Sequence, residues 1–245
     1  MQVRRRVVAT CALAAISVLC LTGVAARAQS LSVMPVNIFL APGQRATTLT
    51  VTNQGTTKTA IQIRAFGWNQ QGDGDQLTAS DSVVVSPPIA SIDPGSSQVV
   101  RLILRQAPHG REETYRVIVD QIPPPAEPGI VHLVLRLSIP IFAEPSTRAF
   151  PKLQFRLEAK GDQLVLVGSN DGLRHEVVRD IEVLTSDGRK LKAAAGSSPY
   201  ILAGSTRRWN VSVEGTLPAP GDSVLLSGHS DAGAIKEQIR VLATN

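Results

Sequence analysis

The feature that most constrains this chain is a period of two running from Val131 to Ile141. Val131, Leu133, Leu135, Leu137, Ile139 and Ile141 form one unbroken apolar row, alternating with His132, Val134, Arg136, Ser138 and Pro140. Successive side chains of an extended chain point to opposite faces, so the pattern predicts a single strand with one wholly apolar face. It is longer than the ~5–6 residues of an ordinary strand. Pro140 has no N–H to give to a ladder, which predicts that the far end lies at a sheet edge or leaves the sheet. A long edge strand with a bare apolar row invites aggregation. That row therefore needs cover, either from a second sheet of this chain or from another chain.

The first residues carry an export signal. Arg4, Arg5 and Arg6 precede the apolar run Val7 to Val24, and Ala26-Arg27-Ala28 supplies a small-x-small cleavage site. This is the pattern of a secretory signal peptide cut after Ala28, and no second apolar run suggests a membrane span or insertion after cleavage. Both cysteines, Cys11 and Cys20, leave with it. The remaining chain is expected to hold no disulfide and no cysteine nucleophile or metal ligand. The charge also changes. Of 25 Lys+Arg and 20 Asp+Glu, residues 1–28 hold four arginines and no acid, which leaves 21 against 20, a net +1. The basic balance thus belongs to the signal, and a nucleic-acid partner loses its main support.

The rest reads as all-β. Short Val/Ile/Leu/Thr runs are separated by turn signals, with no helical periodicity of note. Extended segments are expected at Leu31–Leu40 (broken by Pro35), Thr47–Thr52, Ala60–Trp68, Val83–Ser86, Ser97–Leu104 and Glu112–Ile122, ahead of the organising strand. Asn69–Asp75 reads as a polar loop; it has a faint calcium-loop look but lacks the downstream glutamate. Glu144-Pro145-Ser146-Thr147-Arg148 reads as a boundary, giving domains at 29–145 and 146–245 after a signal at 1–28. Further short strands are expected at Leu153–Glu158, Gln163–Val167, Arg179–Leu184, Tyr200–Leu202, Trp209–Val213 and Ser223–Ser227. Strands every eight to twelve residues describe two Ig-like β-sandwiches.

No catalytic set emerges. His109, His132, His175 and His229 stand in no metal-ligand or nucleophile–base spacing, and Glu112-Glu113 on a strand point to opposite faces. They read as surface histidines and solvated acids, so neither an enzyme nor a metal or other cofactor is expected.

Several local patterns in order resemble the PapD-type periplasmic pilus chaperones. They are Asn53 after an alternating strand, Ser86-Pro87-Pro88, Asp93-Pro94-Gly95 leading to Val100-Arg101-Leu102, Glu112 leading to Gln121-Ile122-Pro123-Pro124, and the long alternating strand. Asn170-Asp171-Gly172 and the stretch Tyr200 to Trp209 are similar to the family's second half. The resemblance implies two Ig-like domains at an angle, a cleft that faces a pilin-like subunit, and delivery to an outer-membrane usher. It implies that Val131, Leu133, Leu135 and Leu137 are lent to the subunit as a donor strand. Pro87, Pro88 and Arg101 match the surface that meets the usher. Better-known members grip the subunit's terminal carboxylate with an arginine on the first strand and a lysine near the end of the donor strand. Asn37 and Pro140 stand at those places here, and the Leu137-Ser138-Ile139-Pro140-Ile141-Phe142 version of the strand resembles the divergent archaic-type branch associated with spore-coat-U-like pilins. Arg116, Arg64 and Arg136 are the replacement candidates. The competing reading is a secreted two-domain adhesin or carbohydrate-binding module, for which two Trp and two Tyr are poor material.

Overall fold

The computed structural model describes residues 31–71, 74–125, 128–129, 132–194, 198–212 and 215–243. The expected signal peptide with its cleavage site and cysteines, and Val131 of the apolar row, lie outside the described residues.

The first half is built from β1 (Leu31–Met34), β2 (Ile38–Leu40), β3 (Ala46–Asn53), β4 (Thr59–Gln71), β5 (Gly74–Ala79), β6 (Val83–Ser86), β7 (Ile89–Ile92), β8 (Ser97–Leu104), β9 (Glu113–Ile122) and β10 (Arg136–Ala143). One sheet has the order β1-β3-β8-β6 and the other β2-β10-β9-β4-β5, with β7 added on β4. Alternation decides what lies between them. Leu49, Val51, Val100 and Leu102 from one sheet meet Ile61, Ile63, Val117, Val119, Ile139 and Ile141 from the other in a single core.

The second half contains β11 (Leu153–Lys160), β12 (Gln163–Asn170), β13 (Glu176–Leu184), β14 (Lys190–Ala193), β15 (Tyr200–Ile201), β16 (Ser205–Ser212), β17 (Ser223–Ser230) and β18 (Gly233–Ala243). Their order is β14-β16-β12-β11-β18-β17-β13-β15, and β14 also pairs with β13. A separate core gathers Leu157, Leu164, Leu166, Val183, Trp209, Leu226, Ile239 and Val241. The described residues form no helix.

The two halves repeat one device. Asn53 and Asn170 each end a strand and are fully buried. Asn53 Nδ2 donates to Thr57 O (2.7 Å) and Ile92 O (3.0 Å), and its Oδ1 accepts from Gly55 N (2.9 Å). Asn170 Nδ2 donates to Arg174 O (2.8 Å) and Ile201 O (3.1 Å), and its Oδ1 accepts from Gly172 N (3.0 Å). Its Oδ1 also accepts from Lys152 N at 2.9 Å, tying the interdomain linker to the second sandwich. Backbone groups that bend away from a ladder must still be satisfied when buried, and one amide does this for three of them at Asn53 and four at Asn170. Gly172 is held tightly there: a Cβ would lie 2.4 Å from Lys152 N and Phe150 O.

Several sequence expectations need correction. Asn69 to Gln71 continue β4, and Gly74 and Asp75 open β5, so most of the expected loop is a hairpin, with Gln70 opposite Asp75. β14 and β18 had no counterpart in the sequence reading. β18 runs Gly-Ala-Ile-Lys-Glu-Gln-Ile-Arg-Val-Leu-Ala and buries only Ile239 and Val241, so its apolar signal is diluted by a mostly solvated strand.

Asn53→Ala and Asn170→Ala are each expected to destabilise the protein by about 3 kcal/mol, from the buried partners left unsatisfied. Thr50→Ala, on β3 with Asn53 but on a half-buried position of its outer face, should change stability by less than about 0.5 kcal/mol. Urea unfolding followed by tryptophan fluorescence checks both.

Candidate functional site

The apolar row that dominates the sequence is divided in the structure. The ladder between β10 and β9 begins at Arg136↔Asp120, not at Val131, so the regular strand is shorter than its periodicity predicted. The cause lies in the partner. β9 ends at Ile122, and Pro123, Pro124 and Pro125 would stand opposite Leu133, His132 and Val131 in the same register. Proline offers no N–H for pairing. Beyond that point Leu133 is 87% exposed, Val134 49% and Leu135 37%. Leu137 packs against the first core, and Ile139 and Ile141 are inside it. One row thus supplies core residues at one end and bare aliphatic side chains at the other.

The backbone of β10 is also open along one side. Gln121 N donates to Leu135 O at 2.9 Å, which extends the register and makes 135, 137, 139 and 141 the residues that bond to β9. The backbone groups of 136, 138, 140 and 142 therefore point the other way. On that side β2 covers only Ile141 to Ala143, in parallel, and Glu144 N donates to Leu40 O at 2.9 Å. Among the described residues, nothing pairs with Arg136 and Ser138 on that side. Pro140 turns its missing N–H to this same edge, as the sequence required, and there it costs no ladder bond.

The outer face of this sheet carries charge. Asp120, its side chain 16% exposed, accepts from Arg64 Nη2 at 2.6 Å and from Arg136 Nε. Burial pushes the Asp120 carboxyl upward, but the hydrogen bonds and charges of Arg136 and Arg64 outweigh this and hold it below its ordinary value. Two of the three candidate arginines are thus joined on one acid beside Leu135. The third, Arg116, stands opposite Pro140 in the ladder. Its guanidinium lies 3.7 Å from the Trp68 ring centroid and 5.9 Å from that of Tyr200, and 3.6 Å from Asp75 Oδ2. Burial lowers the Arg116 pKa, and the charge of Asp75 works against that.

Arg116 sits where the two domains touch. Trp68, Phe142 and Leu202 form a small shared core with Tyr200 packed on it. Gln70 Nε2 donates to Tyr200 O at 2.9 Å, and Leu202 N donates to Gln70 Oε1 at 3.0 Å. Tyr200 Oη reaches Asn37 Oδ1 at 3.3 Å. His175 stacks on Phe142 with centroids 3.7 Å apart and rings 15° from parallel. Both Glu112 carboxylate oxygens lie 2.8 Å from His175 Nδ1. Glu112 and His175 are buried, which corrects the sequence reading of surface histidines and solvated acids. Arg207 is a further junction residue that the sequence did not single out; its Nη1 donates to Asp75 Oδ1 at 3.2 Å. Only folding brings positions 75, 116 and 207 together, so no local pattern marks them.

On the opposite sheet, Ser86 pairs with Arg101, placing Pro87 and Pro88 beside it. Arg101 is exposed there with Val99 (54%) and Ile103 (37%) on the same strand face.

Because Asp120 titrates below its ordinary value of about 4 when folded, its stabilising contribution is complete above that pH and is lost as pH falls through the lowered value. The stability difference between wild type and Asp120→Asn should be constant from pH 5 to 7 and shrink below pH 4, read from urea midpoints across that range.

Residues 30–149 match the family model described as pili and flagellar-assembly chaperone, PapD N-terminal domain. The curated chaperone protein FimB/FhaD of Bordetella pertussis is 28% identical over 131 residues, 49% of this chain and 52% of that protein, so the chain spans about half the length of this relative. Among solved structures, the CsuC–CsuE chaperone–tip adhesion subunit pre-assembly complex from archaic chaperone-usher Csu pili of Acinetobacter baumannii aligns with a TM-score of 0.64 at 23% identity, covering 88% of this chain and 100% of the matched one. The YadV chaperone aligns with a TM-score of 0.61 at 17% identity, covering 86% and 98%. The fold is that of the two-domain, Ig-like pilus chaperones, and residues 30–149 belong to the PapD N-terminal domain family of pili and flagellar-assembly chaperones.

Proposed function

We propose that this protein is a periplasmic chaperone, working without ATP or cofactor, that caps pilin-like subunits by donor-strand complementation and delivers them to an outer-membrane usher. The observation that carries the reading is the division of one apolar row. Ile139 and Ile141 fix β10 in its own core, while Leu133 and Leu135 stand exposed beside an edge that no described residue pairs with at Arg136 and Ser138. A subunit lacking a strand has the complementary defect, namely an open groove and unpaired groups of its own. Pairing along the edge satisfies both backbones, and alternate side chains fill the groove. Each aliphatic side chain fully buried this way contributes about 1.5–3 kcal/mol. Val131, Leu133 and Leu135 are the donors in this reading, with Leu137 at the transition into the chaperone's own core.

Residues 29–145 then form the donor domain and 146–245 the domain that closes the cleft, with export directed by a signal removed after Ala28. Arg116 is the best placed of the three arginines to grip the subunit's terminal carboxylate, because it lies in the cleft opposite Pro140. Arg64 and Arg136 are shared by Asp120 and brace the root of the donor segment. Pro87, Pro88 and Arg101, with the apolar Val99 and Ile103, supply the usher-facing surface. The archaic-type assignment draws support from Asn37 and Pro140 at the usual anchor positions and from the likeness to the CsuC–CsuE fold.

The test is periplasmic co-expression with the pilin-like product of the same genome. Wild type should yield a soluble one-to-one complex on size exclusion. Leu135→Glu, still folded because the side chain touches solvent, should yield none. An aggregated subunit with wild type, or an unchanged complex with the variant, would count against the reading.

A further inference from the structure

The second domain encloses a space that its own side chains do not fill. β14 pairs with both β16 and β13, so seven of its strands close into a ring. Alternate residues of each strand point into that ring, and most of them are large: Leu191 on β14, Val224 and Leu226 on β17, Ile239 and Val241 on β18. At one end they shrink, because the next inward positions are Ala193 on β14 and Gly228 on β17. β13 also bulges there. Arg179 pairs with His229 and Glu182 with Ser227, so two residues of β13 face the single residue Gly228. Asp180, in the bulge, has a left-handed φ of 53°. A Cβ on Gly228 would lie 3.2 Å from Arg179 O, so a glycine suits this close approach. Bulges bend a strand and re-aim its side chains. The bend and the small inward residues leave a cavity of about 820 Å³, within the ~300–1,000 Å³ of ordinary small-molecule sites.

Ile181, Trp209 and Ile235 give the cavity an apolar wall. One polar group interrupts it. Ser198 is 4% exposed, and among the described residues its Oγ has no hydrogen-bond partner. A buried hydroxyl left unpaired is costly, and a ligand atom that accepts from it removes the cost. Charge around the cavity is unbalanced as well. Arg179 is paired with Asp231 and Glu182 with Lys190. Lys192 and Lys236 also line the cavity, are in no ion pair among the described residues, and stand against the single acid Asp180. We propose that this cavity binds a single-chain carboxylic acid. Its hydrocarbon chain lies against Ile181, Trp209 and Ile235, its carboxylate accepts from Ser198 Oγ, and Lys192 and Lys236 offset its charge. The apolar wall gives a bare anion such as phosphate nothing to bury, and the lysines disfavour a cationic amphiphile. The site uses no residue of the donor edge or of the arginine cluster at the junction, so it stands apart from the chaperone reading.

Trp209 reports on the cavity, because bromine quenches indole fluorescence on contact. Trp68, the other tryptophan, lies in the junction core and supplies an unquenched background. The experiment titrates the full protein with ω-bromododecanoic acid, and separately with ω-bromododecanol, below the concentration at which either forms micelles. Quenching by the acid should saturate, and the alcohol should need roughly fivefold more, since a charged acceptor makes the stronger bond. Ala193→Leu fills the cavity from its own wall and should abolish saturable quenching; Ala193→Val serves if the leucine variant does not fold. Ser198→Ala removes an unpaired hydroxyl. The melting midpoint of the ligand-free variant should therefore stay or rise, while half-saturation by the acid moves roughly threefold higher. Quenching that is absent, that never saturates, or that survives Ala193→Leu unchanged overturns the site. Equal binding of the alcohol overturns the carboxylate assignment, and unchanged binding by Ser198→Ala overturns the role of its hydroxyl.

Discussion

β9 stops before β10's apolar row does, and the rest of the architecture follows from that mismatch. Pro123, Pro124 and Pro125 cannot extend the ladder, so the row loses its partner strand at Leu135 while its side chains remain those of a buried strand. On the other side β2 withdraws after three paired residues. A strand bounded by these two retreats has anchored aliphatic residues at Ile139 and Ile141 and free ones at Leu133 and Leu135. In an isolated soluble protein such a segment is a liability. In one that lends a strand it is the working part, rigid at its root and available at its tip.

The second domain holds that root in place. Phe142, one residue beyond the last core position of the row, is buried beneath His175 from the second domain, and Glu112, the residue before β9, closes on the same ring. Trp68 and Gln70 at the far end of β4 meet Tyr200 and Leu202. Three neighbouring strands of that sheet, β10, β9 and β4, are thus tied to the second domain. The charges follow the same geography, with one arginine pair closed on Asp120 beside Leu135 and another closed on Asp75 at the junction. The placement of these charges bears on recognition as well as on folding.

Much of the fold was legible because its signals are local. Alternation marked β3, β4, β8, β9 and β10, and the turns around Asn53 and Asn170 marked the ends of strands. The duplication of the asparagine device was present in the sequence as Asn-x-Gly followed by Ile-x-x-Gly-Ser, at 53–55 with 92–96 and at 170–172 with 201–205. What was not legible was non-local. β18 hides its two core residues among charges because most of it faces water. The burial of Glu112 with His175, and the meeting of Asp75 with Arg116 and Arg207, depend on the docking of two domains and leave no spacing to detect. Periodicity also overstated β10, since it reports the side chains of one strand and not whether a partner strand exists to pair with it.

The central claim is that the backbone edge of β10 is vacant in the free protein and filled by a subunit. Amide hydrogen exchange resolved to single residues measures this directly. The N–H groups of Val134, Arg136 and Ser138 should exchange fast in the free protein, while those of Leu137 and Ile139, bonded to β9, exchange slowly. On forming the subunit complex, protection should appear at the first set and change little at the second. Protection confined to β5, β8 or the second domain, with Val134, Arg136 and Ser138 still exchanging freely, would contradict the account.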